Sequence, residues 1–170
     1  MERLWAPWRI SYVKQPDKSE GGCFLCKAAA QEPGSGNLVL FRGESSFCLL
    51  NRWPYNNGHL MVAPLAHKSD LAELTPGEML EQMEMLKRCK RLLEGALAPA
   101  GYNVGLNLGG AAGAGLATHL HWHIVPRWEG DTNFMPVLAD TKVIPQSLEQ
   151  LLELLREADN EESKRMKHES

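Results

Sequence analysis

The chain of 170 residues is 44% hydrophobic and 23% charged, the balance of one globular domain with a core of its own. Its 18 Lys and Arg against 21 Asp and Glu give a net charge of −3, so no basic field draws it to nucleic acid or a membrane surface, and an anionic ligand has to be held by local groups. No stretch approaches the ~18 apolar residues of a spanning helix, and residues 1–9 lack a signal-peptide core. The expectation is a cytoplasmic protein whose four cysteines serve metal binding, catalysis or packing and not a disulfide framework.

Residues 1–36 carry the aromatic anchors Trp5, Trp8 and Tyr12, a polar stretch at 14–20, the pair Cys23 and Cys26, and a Gly- and Pro-containing loop at 31–36. They read as an arm ending in a small knuckle. The apolar runs at 38–41 and 47–50, separated by Arg42-Gly43-Glu44, predict a hairpin. A third strand at 59–63 follows the turn signal Pro54-Tyr55-Asn56-Asn57-Gly58. Thr75-Pro76-Gly77-Glu78 supplies an N-cap threonine, a proline at the first helical position and a glutamate placed for a capping box. A long helix is predicted from there to about residue 97, with Met79, Met83, Leu86, Leu93 and Leu97 as its apolar stripe.

A strand at 102–108, a small-residue loop at 109–117 and a strand at 118–126 come next. Beyond Pro145, the residues Leu148, Leu151, Leu152 and Leu155 mark an amphipathic helix, and the charged residues from 156 on read as fraying. The predicted divisions are an arm (1–36), a core (37–128), an extension with the last helix (129–158) and a flexible tail (159–170). Strands before and after one long helix favour an α+β meander over a parallel sheet. Cys48 and Cys89 are read as small core residues. Trp53 and Tyr55 are open to stacking on a base or to plain packing.

The densest chemistry is His119-Leu120-His121-Trp122-His123-Ile124-Val125. Period-two alternation in a strand points Leu120, Trp122 and Ile124 into a core and sets the imidazoles on the other face, ~7 Å between successive ones. A merely solvated face would use Thr, Lys or Glu there, so the row has either a metal to chelate or a phosphorus to attack. The preceding loop, Gly109-Gly110-Ala111-Ala112-Gly113-Ala114-Gly115, is free of side-chain ligands and lets backbone N–H groups approach an anion. It lacks the Gly-Lys-Ser/Thr ending of a P-loop, and a packing turn has the same composition.

His-Leu-His-Trp-His-Ile-Val resembles the signature of the histidine triad (HIT) superfamily of nucleotidyl hydrolases and transferases. Asn51-Arg52 and Gly58-His59-Leu60-Met61-Val62 resemble its first nucleotide-binding strands. Leu4-Trp5-Ala6-Pro7-Trp8-Arg9 and the segment from Pro126 to Phe134 are similar to a bacterial subgroup that phosphorolyses diadenosine tetraphosphate. The resemblance implies an α+β fold with a central antiparallel sheet, a homodimer and a covalent nucleotidyl-histidine intermediate. It implies His121 as nucleophile, His123 as the residue assisting the leaving group, and His59 as a supporting histidine. By the same resemblance Asn51 contacts ribose, Asn107, Ala114 and Gly115 cradle phosphate, and Trp128 lies near the nucleotide. Most members carry glutamine where this chain has Gly115, a departure that puts ordinary hydrolysis in question.

Cys23-Phe24-Leu25-Cys26 has the two-residue gap that lets both thiolates reach one zinc, and a redox pair or a buried knuckle has the same spacing. Relatives of this kind complete such a site with histidines at the places of His67 and His119, so the resemblance implies a structural zinc held by Cys23, Cys26, His67 and His119. Two function classes follow: an enzyme working through His121, and a nucleotide-binding regulatory or scaffold protein that turns over little.

Overall fold

The computed structural model describes residues 22–34, 36–131 and 144–168. Trp5, Trp8, Tyr12, the polar stretch at 14–20, Ser35 and residues 132–143 lie outside the described residues. The elements are α1 (Phe24–Ala29), β1 (Val39–Arg42), β2 (Ser46–Leu50), β3 (Leu60–Pro64), α2 (Pro76–Leu97), β4 (Gly101–Leu106), β5 (Trp122–Arg127) and α3 (Leu148–His168), with short 3-10 turns at Leu71–Glu73 and Gly110–Ala112. The strands form one antiparallel sheet in the order β1-β2-β3-β5-β4. Among the described residues no helix is long and apolar enough to cross a membrane.

Both faces of the sheet are covered, which is why β2 and β3 are buried along their whole length and show no alternation. On one face Leu50, Leu60, Val62 and Ile124 pack with Leu86, Cys89 and Leu93 of α2 and Leu151, Leu152 and Leu155 of α3. On the other, Phe47, Leu49, Met61 and Ala63 pack with Leu25 and Ala28 of α1 and with Leu116. Cys48 and Cys89 are buried core residues, their sulfurs 3.3 Å apart. The β1–β2 turn is fixed by Glu81, whose carboxylate accepts from the amides of Glu44 (2.6 Å) and Ser45 (2.8 Å). A Cβ at Gly43 would collide with that carboxylate.

The Thr75–Glu78 capping box and Pro76 start α2 as the sequence predicts. Its buried arc is turned from the expected stripe: Met79 and Met83 are each 40% exposed, while Gln82, Met85, Cys89 and Leu92 are buried with Leu86 and Leu93. Because α2 packs on α3 as well as on the sheet, burial shifts toward the α3 side. That contact continues into the charged segment beyond residue 156. Arg88 holds Asp159 in a bidentate pair at 2.6 and 2.7 Å, Arg91 reaches Glu162 at 2.5 Å, and α3 runs on through the charged segment to His168.

The last strand is shorter than predicted. β5 begins at Trp122, so of the three histidines of the row only His123 lies in the sheet. β4 has ended at Leu106 and β3 ends at Pro64, which has no N–H to give. The amide of Leu120 donates instead to the carbonyl of Lys68 (2.6 Å). Lys68 is itself anchored, its ammonium 2.6 Å from both oxygens of Glu78.

The bond from Lys68 and the amide of Thr75 hold the Glu78 carboxyl down at about 2. A carboxylate depressed in the folded state adds stability above its unfolded value of ~4.3 and loses it as pH falls toward the folded one. Glu78→Gln is expected to cost about 1 kcal/mol at neutral pH through the weakened cap, ~3 °C in Tm. It should also flatten the decline of stability between about pH 5 and 2. Thermal melts across that range check it, and equal slopes in variant and wild type would exclude the role.

Candidate active site

The turn before β3 needs its glycine twice over. Gly58 has φ +77°, and a Cβ there would stand 2.7 Å from Leu97. The turn delivers His59, fully buried, at the start of β3. Its Nδ1 accepts from the amide of Tyr55 (3.0 Å), with the Asn51 side-chain amide at 3.4 Å, and the Tyr55 ring stacks on it at 4.8 Å and 19°. With Nδ1 accepting, the His59 proton sits on Nε2, which donates to His123 Nδ1 at 2.9 Å. A neutral His123 then carries its own proton on Nε2.

His121 is set the opposite way. Its Nδ1–H donates to the carbonyl of His119 (2.8 Å), so the lone pair is on Nε2. Its ring lies 4.9 Å from that of His123, edge to face at 75°. Burial pushes the His121 imidazole below its ordinary 6.5, and the bond to the His119 carbonyl acts in the other direction. The result is a neutral, tautomer-fixed imidazole with a bare nitrogen beside a second imidazole that presents an N–H.

The structure thus brings His59, His121 and His123 together, with Asn51 against His59, and sends His119 elsewhere. Asn51 Oδ1 accepts from the amide of Trp53 (2.9 Å). Asn107 follows β4 just past its pairing with β5. In the glycine-rich loop the left-handed Gly109 and Gly113 turn the amides of Ala112, Gly113 and Ala114 back onto the carbonyls of Gly109 and Gly110 at 3.0–3.4 Å, whereas Gly115 is exposed.

Trp128 follows β5 and donates its amide to Asp131 (3.2 Å). Asp131 also takes Arg127 in a bidentate pair (2.6 and 2.8 Å) and the Asn56 side chain (2.8 Å). This network ties the turn before His59 to the end of β5. The sequence reading missed Asp131, for which the four-residue spacing to Arg127 was the available signal. Tyr55, open in the sequence to stacking on a base or to packing, stacks on His59 and also holds it through its backbone amide.

His119 joins Cys23, Cys26 and His67, whose ligand atoms all lie within 4.8 Å of one another. Cys23 caps α1, so the first turn of that helix fixes the gap to Cys26. Cys26 Sγ is 3.2 Å from His67 Nδ1 and 3.4 Å from His119 Nδ1, and Cys23 Sγ is 3.3 Å from His119 Nδ1. Tetrahedral zinc with two sulfurs and two nitrogens sets S···N separations of ~3.5 Å, so the donor set fits that ion. His119 Nε2 donates to the carbonyl of Pro64 (2.9 Å), leaving Nδ1 free to ligate. Burial, then the adjacent Cys23, pushes the Cys26 thiol up.

Comparison with known proteins places this geometry. Residues 35–130 match the model of the HIT domain. The chain is 40% identical over 161 residues to a protein of Mycobacterium tuberculosis named AP-4-A phosphorylase, covering 91% of this chain and 83% of that one. It is 29% identical over 96 residues to an asymmetrical bis(5'-nucleosyl)-tetraphosphatase of Schizosaccharomyces pombe, covering 56% and 52%. A zinc-bound histidine triad family protein from Mycobacterium smegmatis superposes with a TM-score of 0.67 at 26% identity over 85% of this chain and 97% of that one. With the paired imidazoles, the five-stranded antiparallel sheet and the matched segment all in agreement, this chain belongs to the histidine triad family.

Proposed function

We propose that this protein transfers a nucleotidyl group from an adenine dinucleoside polyphosphate, such as diadenosine tetraphosphate, to inorganic phosphate through a covalent intermediate on His121. The observation that carries the reading is the tautomer pattern, in which His121 offers a bare Nε2 and His123 a protonated one. Nε2 of His121 attacks the α-phosphorus, and the bond from that phosphorus to the bridging oxygen of the polyphosphate breaks. His123 gives its Nε2 proton to the departing oxygen. His59 acts as a positioning residue, keeping the His123 proton on the substrate side. Asn107 and the backbone at Ala114 and the exposed Gly115 supply donors to the phosphoryl oxygens, Asn51 meets the ribose, and Trp128 lies along the nucleotide.

The acceptor then displaces His121 from phosphorus. Gly115, where relatives carry glutamine, leaves room for orthophosphate, and the Mycobacterium relative's name points the same way. With diadenosine tetraphosphate the expected products are ADP and ATP in equal amounts, at a rate that rises with added phosphate. Chromatography of the products tests this. AMP and ATP at a phosphate-independent rate would make the protein a hydrolase, and Gly115→Gln should then raise that rate.

The ion read into the cysteine–histidine cluster is a structural zinc, held by Cys23, Cys26, His67 and His119. It would fix α1 beside the approach to β5 and supply no step of the reaction. The protein is read as a cytoplasmic homodimer. The edge strand β4, with Val104 52% exposed, offers a second copy a strand to pair with.

A further inference from the structure

Among the described residues nothing requires residue 105 to be glycine. It lies inside β4, where glycine weakens a strand for want of a side chain to pack. The left-handed glycines among the described residues are Gly22, Gly58, Gly109, Gly113 and Gly130, so the backbone at 105 suits any residue. Space is not short either, since no atom of the described residues stands within 4 Å of where its Cβ would be. Gly43 and Gly58 differ on this point, because a side chain there meets the fold itself.

The position matters because Gly105 pairs directly with His123. On its other side His123 is flanked by Met61 of β3, and its Nδ1 is taken by His59. Cross-strand Cβ atoms stand ~5 Å apart, so any larger residue at 105 would lie against the His123 ring on the β4 side. Asn103, on the same face and ~7 Å along the strand, accepts from Arg127 (2.8 Å), whose guanidinium also holds Asp131. A lane opened by the missing side chain at 105 therefore leads from His123 past Asn103 to the guanidinium that Asn103 meets at the end of β5.

We infer that Gly105 keeps this lane open for the leaving half of the substrate, the nucleoside polyphosphate that departs when His121 takes the nucleotidyl group. It is a specificity-determining position selecting large anionic leaving groups, and the inference rests on the nucleotidyl-transfer reading above. A side chain at 105 excludes the part of a dinucleotide beyond the α-phosphate and leaves a mononucleotide its place.

The test is calorimetric binding in a His121→Asn background, where no turnover confuses the readout, with diadenosine tetraphosphate and AMP as probes. Adding Gly105→Val should raise the Kd of the dinucleotide by about tenfold or more, leave that of AMP within about twofold, and leave Tm equal or higher. Gly105→Ala should fall between, and it stands in if the valine variant folds poorly. Equal weakening of both ligands, or of neither, would overturn the inference. The background protein reports on the underlying reading separately: if it binds neither nucleotide, that reading fails, and the lane with it.

Discussion

His121→Asn is expected to lower kcat by at least ~10³-fold while leaving nucleotide affinity within a few-fold of wild type, because the lost group acts on the transition state and scarcely on the ground state. Asparagine is the informative replacement: its side-chain amide can still donate to the His119 carbonyl, which now takes Nδ1–H of the imidazole at 2.8 Å. What it lacks is the lone pair at the place of Nε2. Rapid quench of wild type with labelled dinucleotide should trap about one acid-labile nucleotidyl group per chain, and the variant should trap none. Turnover within tenfold of wild type would exclude His121 as nucleophile. The pH profile carries the same signature. In the proposed mechanism the neutral imidazole is the reacting form, and burial holds its proton affinity below the ordinary 6.5. kcat/KM should therefore stay level as pH drops through 6.5 and fall only in more acidic solution.

How far such a site is legible in the sequence depends on whether each feature is local. The start of α2 is local, because Thr75, Pro76 and Glu78 carry the whole instruction within one turn, and it is read to the residue. The hairpin of β1 and β2 is nearly so. The face of α2 is not: Met79 and Met83 sit on a helical stripe as regular as that of the buried residues, and only the docking of α3, dozens of residues later, decides which is covered. The alternation over 119–125 shows a strand-like repeat, but β5 begins at Trp122 because its neighbours stop at Pro64 and Leu106, so the approach turns aside to the Lys68 carbonyl. That turn separates His119 from His121 and sends His119 to the cysteine cluster while His121 stays beside His123. Tautomers are the least legible feature, since the proton on His59 is placed by the backbone amide of Tyr55, which no side chain announces.

Stripping zinc should have the second large effect, and it should reach the reaction through a single residue. Purified protein is expected to carry about one zinc per chain. Chelation, or Cys23→Ser, should lower Tm by ~10 °C, the consequence of losing about 4 kcal/mol in a chain of this size. His67 is exposed, so His67→Ala should lower zinc content with a smaller loss of Tm. The link to chemistry is His119. Its imidazole faces the two sulfurs at 3.3 and 3.4 Å, and its carbonyl holds His121 Nδ1. With the metal gone, the bond from His119 Nε2 to Pro64 and the bond from the Leu120 amide to Lys68 still tether the segment. His121, the proposed nucleophile, should consequently lose alignment and not its place: kcat falls, while KM for the dinucleotide moves little. Zinc content by mass spectrometry, melting with and without chelator, and steady-state kinetics of the re-metallated protein check the chain of effects in order. A metal-free native protein whose melting curve chelator leaves unchanged would remove zinc from the structure. A loss confined to KM would place the metal's influence on substrate binding and away from His121.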